Sequence, residues 1–316
     1  MSDLEIEAKD GANPLPPAEP TFAAATAPSY AHTLFWGPDG LRPGWGFLFY
    51  AVGFLALQKL AVGLAWARDF GDSGLWSILL EEMGDFLAAI IPAVVLARIE
   101  RRSWSDYGLP LGQIFGRLFW FGAVWGFSAI SMLILAIYAR HGYTAGDIIL
   151  HGPRLLRFAM FWTMYFLLVG LFEDFLFRGY SLFTLARGIG FWPAALVLSC
   201  VFGLVHRGNE GERWSGVLIA ALIGLFFCLT LRRTGTLWFA IGFHAAWDWG
   251  ETFFYSVPDS GMVFPGHLLN STLHGPAWLT GGSVGPEGSV FCYLVVAVIS
   301  LAFHRVYRQS APSPAK

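Results

Sequence analysis

Residues 158–182 read FAMFWTMYFLLVGLFEDFLFRGYSL. From Phe158 to Phe172 the side chains are almost all apolar or aromatic, and Glu173, Asp174 and Arg178 follow inside the same hydrophobic stretch. Crossing a bilayer takes about 20 residues of helix, so this segment is long enough. A charge at the bilayer centre costs about 2.5–3.5 kcal/mol even on the mildest scale. Charged groups kept there against that cost pair with one another and face a cavity. The stretch therefore predicts a membrane helix that carries part of a polar site.

The whole chain agrees with this reading. Of its 316 residues, 55% are hydrophobic, 17% aromatic and only 13% charged, against about 25% charged in an ordinary soluble domain. Mean hydropathy is +0.55. So few charges could not cover the surface of a water-soluble enzyme of this length. A disordered chain, a collagen and a disulfide scaffold are excluded as well. The net charge of −2 leaves no broad basic face for nucleic acid. Cys200, Cys228 and Cys292 lack zinc-ribbon spacing and read as small hydrophobes in packed helices.

Working outward, further apolar stretches lie at 45–66, 75–96, 118–138, 191–206, 214–231, 237–255 and 290–303. Together they predict an all-α polytopic membrane protein, about eight transmembrane helices bundled around a polar cavity. The stretch at 75–96 is the least regular, because it carries Glu81, Glu82 and Asp85. Residues 1–40, rich in Ala, Pro and acids, predict a disordered polar tail. They lack the basic and apolar regions of a secretory signal. The transmembrane domain is expected over 41–310 and a short C-terminal tail over 311–316.

Arginines suggest the orientation. With the N-terminus inside, one side gathers Arg98, Arg101, Arg102, Arg117, Arg178, Arg187, Arg232, Arg233, Arg305 and Arg308. The opposite side holds Arg68, Arg140, Arg154, Arg157, Arg207 and Arg213. The bias predicts both termini in the cytoplasm, and an integral protein of the cell membrane is expected. Residues 256–288 form a long Gly- and Pro-rich loop on the far side, either a lid or a connector.

Three polar clusters interrupt the apolar helices. In the first, Asp174 and Arg178 are four apart and can pair on one helix face, while Glu173 is rotated by about 100°. The second is Phe202-Gly203-Leu204-Val205-His206, at the end of its helix. In the third, His244 and Asp248 share a face, with small residues between them and Glu251 one turn on. Each cluster alone can be a structural pair or an interfacial tip. If they converge, they make a water-holding site for acid/base hydrolysis or for a divalent metal. Depth is the obstacle. At 1.5 Å per residue, His206 lies about 22 Å from the start of its helix and His244 about 10 Å from the start of its own. Level, straight helices would keep them apart, so staggering is expected.

The ordered trio resembles the CAAX protease and bacteriocin-processing family (CPBP, or Abi) of intramembrane endopeptidases. The family pattern is Glu-Glu-x-x-x-Arg, Phe-x-x-x-His and His-x-x-x-Asn/Asp on successive membrane helices. This chain has Glu173-Asp174-x-x-x-Arg178, Phe202-x-x-x-His206 and His244-x-x-x-Asp248, within a core at about 155–256. The resemblance implies that Glu173 activates the attacking water and that His206 assists it. It implies that His244 and Asp248 stabilise the oxyanion, and that Arg178 holds the carboxylates, with Asp174 replacing the usual second Glu. A carboxylate donates a hydrogen bond only when protonated, so Asp248 has a second reading, as the group that orients His244.

By the same resemblance, the substrates are membrane-associated proteins or peptides, prenylated CAAX termini among them. No H-E-x-x-H zinc motif is present, so a metal-free mechanism without cofactor is expected. The metal-dependent alternative places zinc on Glu173, His206 and His244. A non-catalytic membrane binding or immunity protein of the same fold is a second reading. A proton-coupled carrier is a third, against which stands the lack of paired broken helices in an internal repeat.

Overall fold

The computed structural model describes residues 30–38, 40–67, 74–209 and 211–307. Most of the expected N-terminal tail, and all of 311–316, lie outside the described residues. Helix α1 (Tyr30–Phe35) leads through the short pair β1 (Trp36–Gly37) and β2 (Gly40–Leu41) into α2 (Pro43–Ala67). Then come α3 (Leu75–Glu100), α4 (Arg117–Ala139), β3 (Tyr143–Thr144), α5 (Gly152–Arg178), α6 (Tyr180–Ile189), α7 (Phe191–His206) and α8 (Trp214–Thr234). The chain continues with α9 (Trp238–Trp249), a π turn (Gly250–Phe254), β4 (Thr272–Leu273), α10 (Ala277–Thr280) and α11 (Val290–Val306).

Each of the expected apolar stretches is helical, and the molecule is a polytopic all-α membrane protein. Pro43–Leu64, Arg117–Ala139, Gly152–Ile189 and Trp214–Thr234 are long and apolar enough to cross a membrane, and Phe191–His206 and Val290–Val306 are shorter apolar helices. Helix α3 falls short on charge, and α9 has only 12 residues before the π turn. Large apolar side chains such as Leu55, Leu135, Met160 and Leu294 are exposed on the outside of the bundle. That is the surface expected of helices facing lipid, where backbone groups are satisfied internally and side chains need no polarity.

The stretch at 158–182 does not form one helix. It breaks at Gly179, where a Cβ would lie 2.5 Å from the Phe175 carbonyl oxygen. Any larger residue would force the backbone there to shift, and α6 follows as a separate helix. Buried Glu100, at the end of α3, fastens α6 in place: it accepts from Tyr107 Oη at 2.8 Å and from Arg187 at 2.7 Å.

The tightest helix crossing joins α4 to α9. A Cβ on Gly122 or Gly126 would lie 2.1 Å from the carbonyl oxygens of Phe239 and Phe243, and one on Gly242 would lie 2.1 Å from that of Phe119. Small residues let the two backbones touch, as membrane helix interfaces favour. Helix α9 also starts inside the protein. Leu237 to Ile241 are all buried, the Leu237 amide donates to Gly108, and the Trp238 indole donates to Pro110. The segment around 104–113 thus covers the start of α9. Helix α9 thus begins inside the protein rather than at its surface. Cys228 and Cys292 are buried and Cys200 is exposed, all as free thiols.

Candidate active site

Three helices deliver the polar clusters to one cavity of roughly 270 Å³. Its lining includes Glu173 from α5, His206 from α7, and His244 and Asp248 from α9, together with Glu82 from α3. Asp174 and Arg178 do not line it. They stand behind Glu173 as a pair, with Arg178 2.9 Å from Asp174 Oδ1 and side chains 1% and 0% exposed.

His244 is the hub. Its Nε2 is 3.6 Å from both Glu173 Oε2 and Asp248 Oδ2, and its Nδ1 is 3.6 Å from Asp174 Oδ2. These distances are just beyond hydrogen-bond length, so the imidazole sits among three carboxylates. The rotation that separates Glu173 from Asp174 on the helix does not send it away from them. The two carboxylates straddle the same imidazole.

His206 approaches from another side. One nitrogen, Nδ1, lies 2.7 Å from the Phe202 carbonyl. A carbonyl only accepts, so Nδ1 carries the proton and Nε2 is the nitrogen left for the cavity. The Phe202 ring fills the space between His206 and Arg178, with its centroid 4.6 Å from the imidazole and 4.2 Å from the guanidinium carbon. This gives the Phe-x-x-x-His spacing a physical role. One helical turn puts the ring where it packs on its own histidine and, by cation–π contact, on the buried arginine.

Arg178 holds this arrangement together, which leads to a stability prediction. Arg178→Met keeps the bulk but leaves Asp174 buried without its partner. Breaking a buried pair in this way costs about 3–5 kcal/mol. Thermal unfolding in detergent should show a clear drop in midpoint, partly restored by adding Asp174→Asn. An unchanged midpoint in the single variant would contradict the role assigned to the pair.

Sequence reasoning missed several lining groups. Glu82 counted only as a cost to its helix, yet it faces the cavity. Its position in an apolar segment was the available signal. Asn209 and Glu212, between α7 and α8, also line the space, as do Asp259, Ser260 and Glu287 from the 256–288 loop. The loop is therefore a wall of the cavity. Trp162 secures it by donating to the Gly266 carbonyl at 3.2 Å, and β4 pairs with β3. Burial, and then the neighbouring Glu287, push the Asp259 carboxyl up to about 8. Burial also raises Glu212, partly offset by the Arg213 amide.

Residues 155–250 match the family model of the type II CAAX prenyl endopeptidases, Rce1-like. This segment is Rce1-like. It runs from α5 to the start of the π turn and contains all three clusters, in agreement with the resemblance drawn from them. The match is to an endopeptidase family of the CAAX prenyl type. With the apolar helices, it makes the chain an integral membrane protein. No curated protein and no solved structure matches the chain. Glu82 and the loop carboxylates lie outside the Rce1-like segment.

The zinc alternative needs the ligand atoms of Glu173, His206 and His244 to converge. In this arrangement they do not. Among the described residues, the group of three that brings one ligand atom each within 4.8 Å is Glu251, Asp259 and Glu287. The Glu/His set as it stands does not fit a tetrahedral zinc ion, whose ligands lie about 2.0–2.3 Å from the metal.

Proposed function

We propose that the chain hydrolyses peptide bonds near the C-terminus of membrane-associated, prenylated CAAX-type substrates, using a water activated by Glu173. The observation that carries this reading is the presence of Glu173, His206, His244 and Asp248 around one cavity. The Glu173 carboxylate takes a proton from water, and the hydroxide attacks the scissile carbonyl carbon. His206 positions that water through Nε2, the nitrogen that its Nδ1 bond leaves free. The tetrahedral oxyanion is stabilised by an N–H hydrogen bond donated from His244. Collapse breaks the C–N bond, and the proton held by Glu173 passes to the leaving amine. In this scheme Asp248 orients His244 and has no need to be protonated. No cofactor is invoked, because the Glu/His set lacks the convergence that a metal needs.

The loop arginines support an orientation with both termini in the cytoplasm. A prenylated substrate would present its lipid to the bilayer and its peptide to the cavity.

The test uses purified full-length protein in detergent micelles with a farnesylated CAAX-type peptide and its unprenylated counterpart. The expected result is release of the C-terminal fragment, at higher kcat/KM for the farnesylated peptide, with no loss on chelation. Absence of cleavage of both peptides overturns the reading. Activity abolished by a chelator and restored by zinc overturns the metal-free mechanism.

A further inference from the structure

Beside the catalytic cavity, and not used in the proposed reaction, is a second group of acids. Glu251 lies in the π turn after α9 and is fully buried, at 0% exposure. Neither of its carboxylate oxygens has a hydrogen-bond partner. Asp259 is also buried and accepts from Thr252 Oγ1 at 3.0 Å. Glu287 accepts from the Trp247 indole at 3.1 Å and from Ser260 Oγ at 2.8 Å. One oxygen from each carboxylate lies within 4.8 Å of the other two. Among the described residues, no Lys, Arg or His forms an ion pair with any of the three.

Burying an unpaired carboxylate is costly, and three together repel. A cluster can relieve this by sharing protons or by taking a cation. Proton sharing would show as short O–H···O bonds of about 2.5–3.0 Å between the acids, and no hydrogen bond joins these three among the described residues. Instead, Thr252, Ser260 and Trp247 each hold one oxygen of Asp259 or Glu287, and Glu251 brings an unsatisfied oxygen to within 4.8 Å of them. The spread of up to 4.8 Å suits oxygens lying about 2.3–2.6 Å from a shared Ca²⁺. All the donors are hard oxygens, which suit Ca²⁺ or Mg²⁺ rather than zinc or copper.

The frame around the acids is tight. The Gly261 amide donates to the Val284 carbonyl at 2.9 Å. At Gly285 (φ +104°) a Cβ would lie only 2.0 Å from the Pro258 carbonyl oxygen. The two ends of the loop that bring Asp259 and Glu287 together are therefore in backbone contact, and the ligands are preplaced.

We propose that Glu251, Asp259 and Glu287 bind a hard divalent cation of the Ca²⁺ class, clamping both ends of the 256–288 loop to the end of α9. The ion would fix the wall of the cavity that carries Asp259 and Glu287. It is a positioning site, separate from the chemistry at Glu173.

The test is binding of Ca²⁺ or Mg²⁺, as chloride salts, to chelator-stripped full-length protein in micelles, by calorimetry and thermal unfolding. The expected result is saturable binding of about one ion per chain with Kd below about 1 mM. The unfolding midpoint should rise with ion concentration by mass action. Removing one charged ligand by Glu287→Gln or Asp259→Asn should weaken binding by at least about 10-fold. Glu251→Gln should do the same, and the other two variants keep the test decisive if it does not fold. Absence of saturable binding up to about 10 mM overturns the proposal. So does binding that Glu287→Gln and Asp259→Asn leave unchanged. A midpoint that Glu251→Gln raises and that the ions do not move marks a proton-sharing cluster and also overturns it. Because the readouts are binding and unfolding, they stand or fall independently of peptide cleavage.

Discussion

Glu173→Gln is expected to lower kcat for peptide cleavage by about 10³-fold, within the 10²–10⁴ range that a positioned general base supplies. The amide keeps the size of the side chain but cannot take the proton from water. KM should change little, because the substituted atom acts on water rather than on the substrate. The fold should also survive. Glu173 is partly exposed, at 23%, and its nearest charged partner, His244, keeps Asp174 and Asp248. Single-turnover cleavage and thermal unfolding, measured on the same preparation, separate these effects. A variant within about 10-fold of wild type would sink the assignment of Glu173 as the base. Glu82→Gln is the informative companion, since Glu82 lines the same cavity. Its effect should be clearly smaller, and a larger loss than that of Glu173→Gln would move the base to α3.

Gly126→Val is expected to cost both stability and activity, although Gly126 touches no reacting group. Any Cβ at this position meets the Phe243 carbonyl oxygen at 2.1 Å. Ordinary carbon–oxygen contact would require the helices to part by about 1 Å or more, and misplacing reacting groups by about 1 Å can cost about 10²-fold in rate. His244 is the residue after Phe243, so the displaced carbonyl is part of the backbone that aims the imidazole. Overpacking itself costs about 1–3 kcal/mol, sometimes more. The unfolding midpoint should fall, and kcat should fall further than loss of folded protein explains. Gly126→Ala should show the same effects in weaker form, since its single methyl already meets that oxygen. Wild-type values for both variants would show that the α4–α9 crossing does not position the site.

The eight apolar stretches became helices close to where they were expected because the signal is local. Hydropathy and length along one segment decide whether it can satisfy its backbone in lipid. The Asp174–Arg178 pair was legible for the same reason, since four residues along a helix bring two side chains together whatever surrounds them. The break at Gly179 was not legible. A glycine in an apolar run reads as tolerated, and only the contact with the Phe175 carbonyl shows that the chain turns there.

By itself, then, the sequence determined an all-α membrane protein with three polar clusters on three helices, because both features follow from short-range geometry and burial cost. The tertiary structure alone decided that the clusters meet. That depended on α9 starting inside the bundle beneath residues 104–113, and on glycines that let α4 and α9 touch. It decided that Glu82 faces the cavity and that Phe202 bridges Arg178 and His206. It also brought together Glu251, Asp259 and Glu287, which no spacing rule connects. Their meeting depends on a loop folding back on itself, and such contacts form between residues whose separation along the chain says nothing about their distance in space.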